Sequence, residues 1–170
     1  MRIETPRLAL REMTEGDLAP LRAILQDPVA MAAYEGPFSD AEVRDWLQRM
    51  NDSYRAHGFG LWAVILRESG EMIGQCGLTR QRILGEDVLE VGYLFNPAHW
   101  HRGYATEAAA ACRDHAFGVL GAPTVYAQVR DTNIRSMNVA IRLGMTVRGR
   151  FDKRFRGVTM PHLAFAVDSQ

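Results

Sequence analysis

The apolar positions of this chain change period from stretch to stretch, and the changes divide it into elements. Arg7-Leu-Ala-Leu-Arg11 alternates polar and apolar residues like a half-buried strand. Thr14 with Asp17 has the form of a helix start, and Pro20 predicts a loose turn that becomes regular only beyond it, with Leu21, Ile24 and Leu25 facing inward. Ser39 and Glu42 form a capping box that opens a helix carrying Val43, Trp46, Leu47 and Met50 on one side. After His57-Gly-Phe-Gly60 the period shortens. Apolar runs at 61–66 and 72–78, separated by a turn at 68–70, predict a β-hairpin.

The second half repeats the alternation of strand and helix. Residues 88–95 read as a strand closed by Asn96-Pro97, because proline removes a donor and biases its neighbour toward extended geometry. Ala108, Ala109, Cys112, Ala116, Phe117 and Leu120 then recur at spacings of three and four, which predicts a closely packed helix over 104–119. A strand at 124–129, a short helix at 133–143 and strands near 146–151 and 162–167 complete the order. That order predicts a mixed α/β sheet with antiparallel and parallel portions.

Composition narrows the class. At 170 residues and 47% apolar, the chain 1–170 is most simply one domain, able to bury roughly 70% of its unfolded surface. Twenty basic and twenty acidic residues cancel, so no overall field favours nucleic acid or membranes. There is no apolar leader and no run long enough for a membrane helix, which predicts a cytoplasmic location. Cys76 and Cys112 lack metal or redox spacing, and the His99/His101 pair has no third ligand beside it, so no metal is expected.

Two stretches carry candidate chemistry. In the first, residues 101–107, Gly103 stands at the start of the alanine-rich helix, where unpaired N–H groups and the helix dipole favour an anion. The alternative is a tight turn and nothing more. In the second, residues 131–145, Asn133 can cap a helix, Ser136 falls one turn later and Gly144 can end it. Capping alone would also account for these residues.

Together the stretches resemble the GNAT superfamily of N-acetyltransferases, which pairs a loop [QR]-x-x-G-x-[GA] with a downstream N-x-x-S…G-[FM] helix. The loop here is Trp100-His-Arg-Gly103-Tyr-Ala105, with Trp100 where the broad pattern has Gln or Arg. Arg7-Leu-Ala-Leu-Arg11, Glu90-Val-Gly-Tyr93 and the Gly-Tyr-Ala-Thr-Glu run from Gly103 resemble more narrowly the Rim-type ribosomal-protein N-terminal acetyltransferases. The resemblance implies a GNAT-like mixed, largely antiparallel sheet of about seven strands with about four helices. It implies acetyl-CoA as donor, with pyrophosphate on the main chain of His101, Arg102, Gly103, Tyr104, Ala105 and Thr106. It also implies a pantetheine arm along the splayed strand Tyr93, Leu94, Phe95, with Asn133, Ser136, Asn138 and Arg142 beside the cofactor.

The implied reaction is direct attack of a primary amine in a ternary complex. Many relatives carry a tyrosine four residues before the glycine matching Gly144, and this chain has Ala140 there. Ser136 matches a serine proposed as acid in Rim-type enzymes, or it only donates a hydrogen bond to sulfur. Glu90 is the candidate base, against the alternative of a solvated strand face. Arg142, Arg148, Arg150, Lys153, Arg154 and Arg156 form a local basic cluster, open to the coenzyme 3′-phosphate, an acidic substrate, ribosomal RNA or solvent alone. Tyr34, Phe38, Trp46, Phe59 and Trp62 either line an acceptor mouth or belong to the core. The acceptor, a protein N-terminus or small amine, is left open, and a homodimer is compatible with the resemblance. Two other functions fit: a non-catalytic acyl-CoA sensor, and an RNA-associated protein using the basic hairpin.

Overall fold

The computed structural model describes residues 2–170. An 8-stranded sheet runs in the order β1-β2-β3-β4-β5-β6-β8-β7. Its strands are β1 (Arg2–Glu4), β2 (Leu8–Arg11), β3 (Leu61–Leu66), β4 (Met72–Ile83), β5 (Glu86–Phe95), β6 (Thr124–Arg130), β7 (Thr146–Phe155) and β8 (Val158–Asp168). Four helices cover it: α1 (Leu18–Leu25), α2 (Asp40–His57), α3 (Tyr104–Gly118) and α4 (Ile134–Arg142). The mixed, largely antiparallel sheet predicted from the sequence is present, with one strand more than expected.

Neighbouring strands pair antiparallel except β5 and β6, which run parallel and meet only at Leu89↔Val125 and Glu90↔Tyr126. Beyond Glu90 the two strands part, while β5 stays paired to β4 out to Gly74↔Phe95. The sheet therefore opens from the middle like a V, and one edge of residues 91–95 has no strand beside it.

Helices lie on both faces. Two adjacent β4 residues show the division, because successive side chains of a strand point oppositely. Cys76 meets Cys112 of α3, the two free thiol sulfurs 3.7 Å apart, whereas the Gln75 carboxamide oxygen accepts a 2.9 Å bond from the Trp46 indole of α2. The α3 face is sealed by small residues. Ala108, Ala109, Cys112 and Ala116 have 0% exposure, letting the helix lie close to the strands.

Local signals set several boundaries. In the Ser39/Glu42 box each side chain accepts the other residue's N–H, at 3.2 and 2.7 Å, and Gly58 ends α2 with φ of 75°. Helix α1 begins before Pro20 rather than after it. Pro20 is its third residue, where an N–H would have no intrahelical acceptor, so the ring costs no hydrogen bond. Strands β7 and β8 extend past the predicted 146–151 and 162–167 into a long hairpin. Exposed arginines interrupt the apolar pattern of β7, which hid its length.

Candidate active site

Helix α3 starts from a left-handed turn. Gly103 caps it with φ of 79°, and His101 two residues earlier also has positive φ, 62°. Such alternation turns successive N–H groups toward one side, and the first N–H groups of α3 have no intrahelical partner. A Cβ on Gly103 would stand 3.4 Å from an Arg7 nitrogen and would force a side chain into the left-handed region.

Helix α4 is placed against this turn by side-chain bonds. The Asn133 carboxamide oxygen accepts the Ser136 N–H at 3.2 Å, and the Tyr93 hydroxyl of β5 donates to the Ser136 carbonyl at 2.7 Å. Burial pushes the Tyr93 phenol well above its ordinary pKa, so it keeps its proton. The indole N–H of Trp100 donates to the Phe95 carbonyl at 2.9 Å, and the Arg135 guanidinium stacks 4.2 Å over its ring. Trp100, the departure from the loop pattern, thus closes the end of β5. It also occupies one of the main-chain groups expected to be free there.

A cavity of about 350 Å³ fills the V. On one side it is walled by Gly103 to Thr106 of the turn and α3 and by Asn133, Ser136, Asn138 and Arg142 of α4, and on the other by Val29, Ala30, Ala32 and Ala33. Those last residues belong to the segment joining α1 to α2, so the cavity spans the opening between the two faces of the sheet. Tyr93, Leu94, Phe95 and His101 also line it. Of the candidate donor-site residues, Arg102 alone stands outside: its side chain is exposed and its carbonyl accepts an Arg7 bond at 2.9 Å.

Glu90 is not on the cavity wall. Its side chain projects from the α2 face of β5, at the point where β5 and β6 part. It is buried, which corrects the reading of a solvated strand face. Burial pushes its pKa up, partly opposed by donors from Gln128 and by the charge of Lys153. The carboxylate accepts from Gln128 Nε2 at 3.0 Å, Thr79 Oγ1 at 3.2 Å and the Gln128 N–H at 3.4 Å. Thr79 and Gln128 carry no sequence signal of this kind, since only strand register brings them to Glu90.

The aromatic cluster divides. Trp62 and Phe59 are core, with exposures of 1% and 5%. Tyr34, Phe38 and Trp46 form an edge-to-face row on the α2 side. Arg156 crosses onto that row from the β7–β8 turn, donating to the carbonyls of Glu35, Gly36 and Pro37 and to both Glu42 oxygens. Arg130 pairs with Glu35 at 2.5 Å. Half of the basic cluster is spent on such ties, since Arg148 pairs with Asp168 and Arg150 with Asp131 besides Arg156 with Glu42. His99 pairs with Glu71 at 3.3 Å, and among the described residues no group of three metal-ligating side chains occurs.

Comparison with known proteins matches this architecture. Residues 7–146 fit the acetyltransferase (GNAT) domain family. Two Bacillus subtilis proteins are similar in sequence. YkkB is 35% identical, with 85% of this chain and 84% of YkkB covered. The N-acetyltransferase YnaD is 30% identical, with 90% of this chain and 87% of YnaD covered. An acetyltransferase structure from Agrobacterium tumefaciens superposes with a TM-score of 0.84 at 30% identity, covering 99% and 95% of the two chains. The ribosomal L7/L12 α-N-protein acetyltransferase RimL shares the fold, with a TM-score of 0.83 at 18% identity over 99% and 94%.

Proposed function

Because the chain belongs to the GNAT acetyltransferase family and is an enzyme of that class, we propose that it moves an acetyl group from acetyl-CoA to a primary amine within the V-shaped opening of its sheet. The observation that carries this reading is the cavity itself, which joins the N-terminus of α3, the unpaired edge of β5 and the first turn of α4. A pyrophosphate fits the turn because backbone N–H groups and the helix dipole need no particular side chain there. Gly103, whose left-handed φ leaves the backbone uncovered, fits the same requirement. In this reading Asn133, next to Ser136, contacts the pantetheine arm, and Arg142, also on the cavity wall, is a partner for the 3′-phosphate.

Bound acetyl-CoA supplies a thioester carbonyl open to attack by a neutral amine. The amine nitrogen bonds to the carbonyl carbon, the C–S bond breaks with its electron pair going to sulfur, one amine proton leaves toward Glu90, and the thiolate takes its proton from solvent at the cavity mouth. Ser136 lines the cavity with both main-chain groups engaged, which suits its hydroxyl to donating a hydrogen bond toward sulfur. Glu90 lies on the face opposite α3, so acceptor and donor approach from opposite sides. Reaching Glu90 from the cavity takes a proton path along the V, through the amine itself or a water.

The acceptor is an α-amine or another amine of low pKa. Neutralising an α-amine costs about 1 kcal/mol at neutral pH, against about 4 kcal/mol for a lysine. Cytoplasmic placement accords with this substrate class, and no described helix is long and apolar enough to cross a membrane. Ala140, standing where many relatives carry a tyrosine, is the one observation favouring a module that binds without turnover. Thiol release separates the two readings: the enzyme frees coenzyme A from acetyl-CoA only when an amine is added, across a panel of α-amino peptides and small amines. Coenzyme A bound tightly with no release for any acceptor would support the binding module instead.

A further inference from the structure

Arg7, just ahead of β2, reaches the anion turn across about a hundred residues of sequence. Its N–H donates to Glu107 Oε1 at 2.9 Å and its Nε to Glu107 Oε2 at 2.6 Å, while Thr5 Oγ1 donates to Oε1 at 2.6 Å. The rest of the guanidinium turns to the loop. Nη1 donates to the Arg102 carbonyl at 2.9 Å, and the group lies 4.5 Å over the Tyr104 ring. Arg102 and Tyr104 are the two neighbours of Gly103, so one side chain holds the turn on both flanks.

Charge gives this contact a second consequence. Glu107 sits in the first turn of α3 and borders a depression shared with His101, Gly103, Thr106 and Arg142. Burial raises its pKa, but the donors from Thr5 and Arg7 outweigh that and hold it below the ordinary carboxylate value, so it stays charged. A carboxylate there suits the helix dipole when no anion is bound and repels one that is. The Arg7 guanidinium is the compensating charge.

Resting on the donor reading above, we propose that Arg7 is a positioning residue for the donor phosphates: it ties both flanks of Gly103 and offsets the Glu107 carboxylate beside the bound anion. The two halves of the pair then differ in sign, although removing either one breaks the same salt bridge. Arg7→Ala leaves Glu107 unopposed and weakens coenzyme A. Glu107→Gln leaves a positive charge, keeps an oxygen for Thr5 and does not weaken it.

The test is calorimetric titration of coenzyme A into the full chain and both variants, at low and high salt, with thermal melts to check folding. Arg7→Ala is expected to raise the dissociation constant about tenfold at low salt, with a smaller ratio at high salt, while Glu107→Gln binds as tightly as the unmodified chain or tighter. If Arg7→Ala fails to fold, Arg7→Gln, which keeps a donor for Arg102, is titrated in its place. Equal weakening by both variants, or unchanged binding on loss of the arginine, overturns the inference and leaves the donor reading standing. An unmodified chain that does not bind coenzyme A overturns both.

Discussion

The two sides of the V are built from different kinds of group. On the α3–α4 side the groups that meet the pyrophosphate and the pantetheine arm are chiefly main chain: the left-handed turn at Gly103, the free N–H groups of α3 and the unpaired edge of β5. On the α1–α2 side they are side chains held by long-range contacts. Glu90 is set between Thr79 and Gln128, and the segment 29–37 is strapped by Arg130 and Arg156. A backbone site accepts many side chains around it and fixes one ligand class. A side-chain site can change its ligand with a few substitutions, which is where acceptor choice would diverge among relatives sharing one donor.

The sharpest break in this contrast is expected from Glu90→Gln. Losing a general base costs typically 10²-fold or more in rate, while coenzyme A binding on the other side should not change. Burial raises the Glu90 pKa above its unfolded value, so a proton binds the folded chain more tightly than the unfolded one. The stability that Glu90 contributes is therefore present below its unfolded pKa and lost as pH rises through its folded pKa. Glu90→Gln removes that pH-dependent loss, so its melting temperature should fall less between pH 5 and pH 8 than that of the unmodified chain, while its turnover falls. Turnover unaffected by the change would remove Glu90 from the chemistry.

Gly103→Val attacks the other side. A β-branched residue in the left-handed region is strained by about 1–3 kcal/mol; the free turn relaxes out of that geometry and binding has to restore it, which lowers coenzyme A affinity roughly 5- to 150-fold. Calorimetry should find that loss without a change in acceptor selectivity for whatever turnover remains. Arg156→Ala, which frees the Glu35–Pro37 segment, should raise the acceptor KM severalfold and leave the donor KM alone. If both KM values rise together in a steady-state matrix, the two sides are not separable. Ser136→Ala should have the smallest effect: loss of one neutral hydrogen bond worth about 1 kcal/mol lowers kcat about fivefold. An unchanged kcat would leave Ser136 as part of the α4 cap alone.

The same contrast governs how far the sequence could be read. Gly103 before an alanine-rich helix, the Ser39/Glu42 box and Asn133 ahead of Ser136 are signals within a few residues, and each marks a real boundary. The donor wall follows from them. Arg7 on Glu107, Gln128 on Glu90 and Arg156 on Glu42 join residues 100, 38 and 114 positions apart. No local spacing encodes such contacts; strand order and register create them. Strand β1 is only three residues long and carries no periodicity to mark it, and the positive φ of His101 has only a weak residue-type signal, because few non-glycine residues adopt it even though histidine does so more than most.

If the gap between β5 and β6 holds the acetyl donor, a crystal structure with coenzyme A will show it there. Pyrophosphate is expected on the main chain of 101–106, with the pantetheine arm running along residues 93–95 toward Ser136. Coenzyme A bound elsewhere, with the V closed by side chains, would contradict that placement.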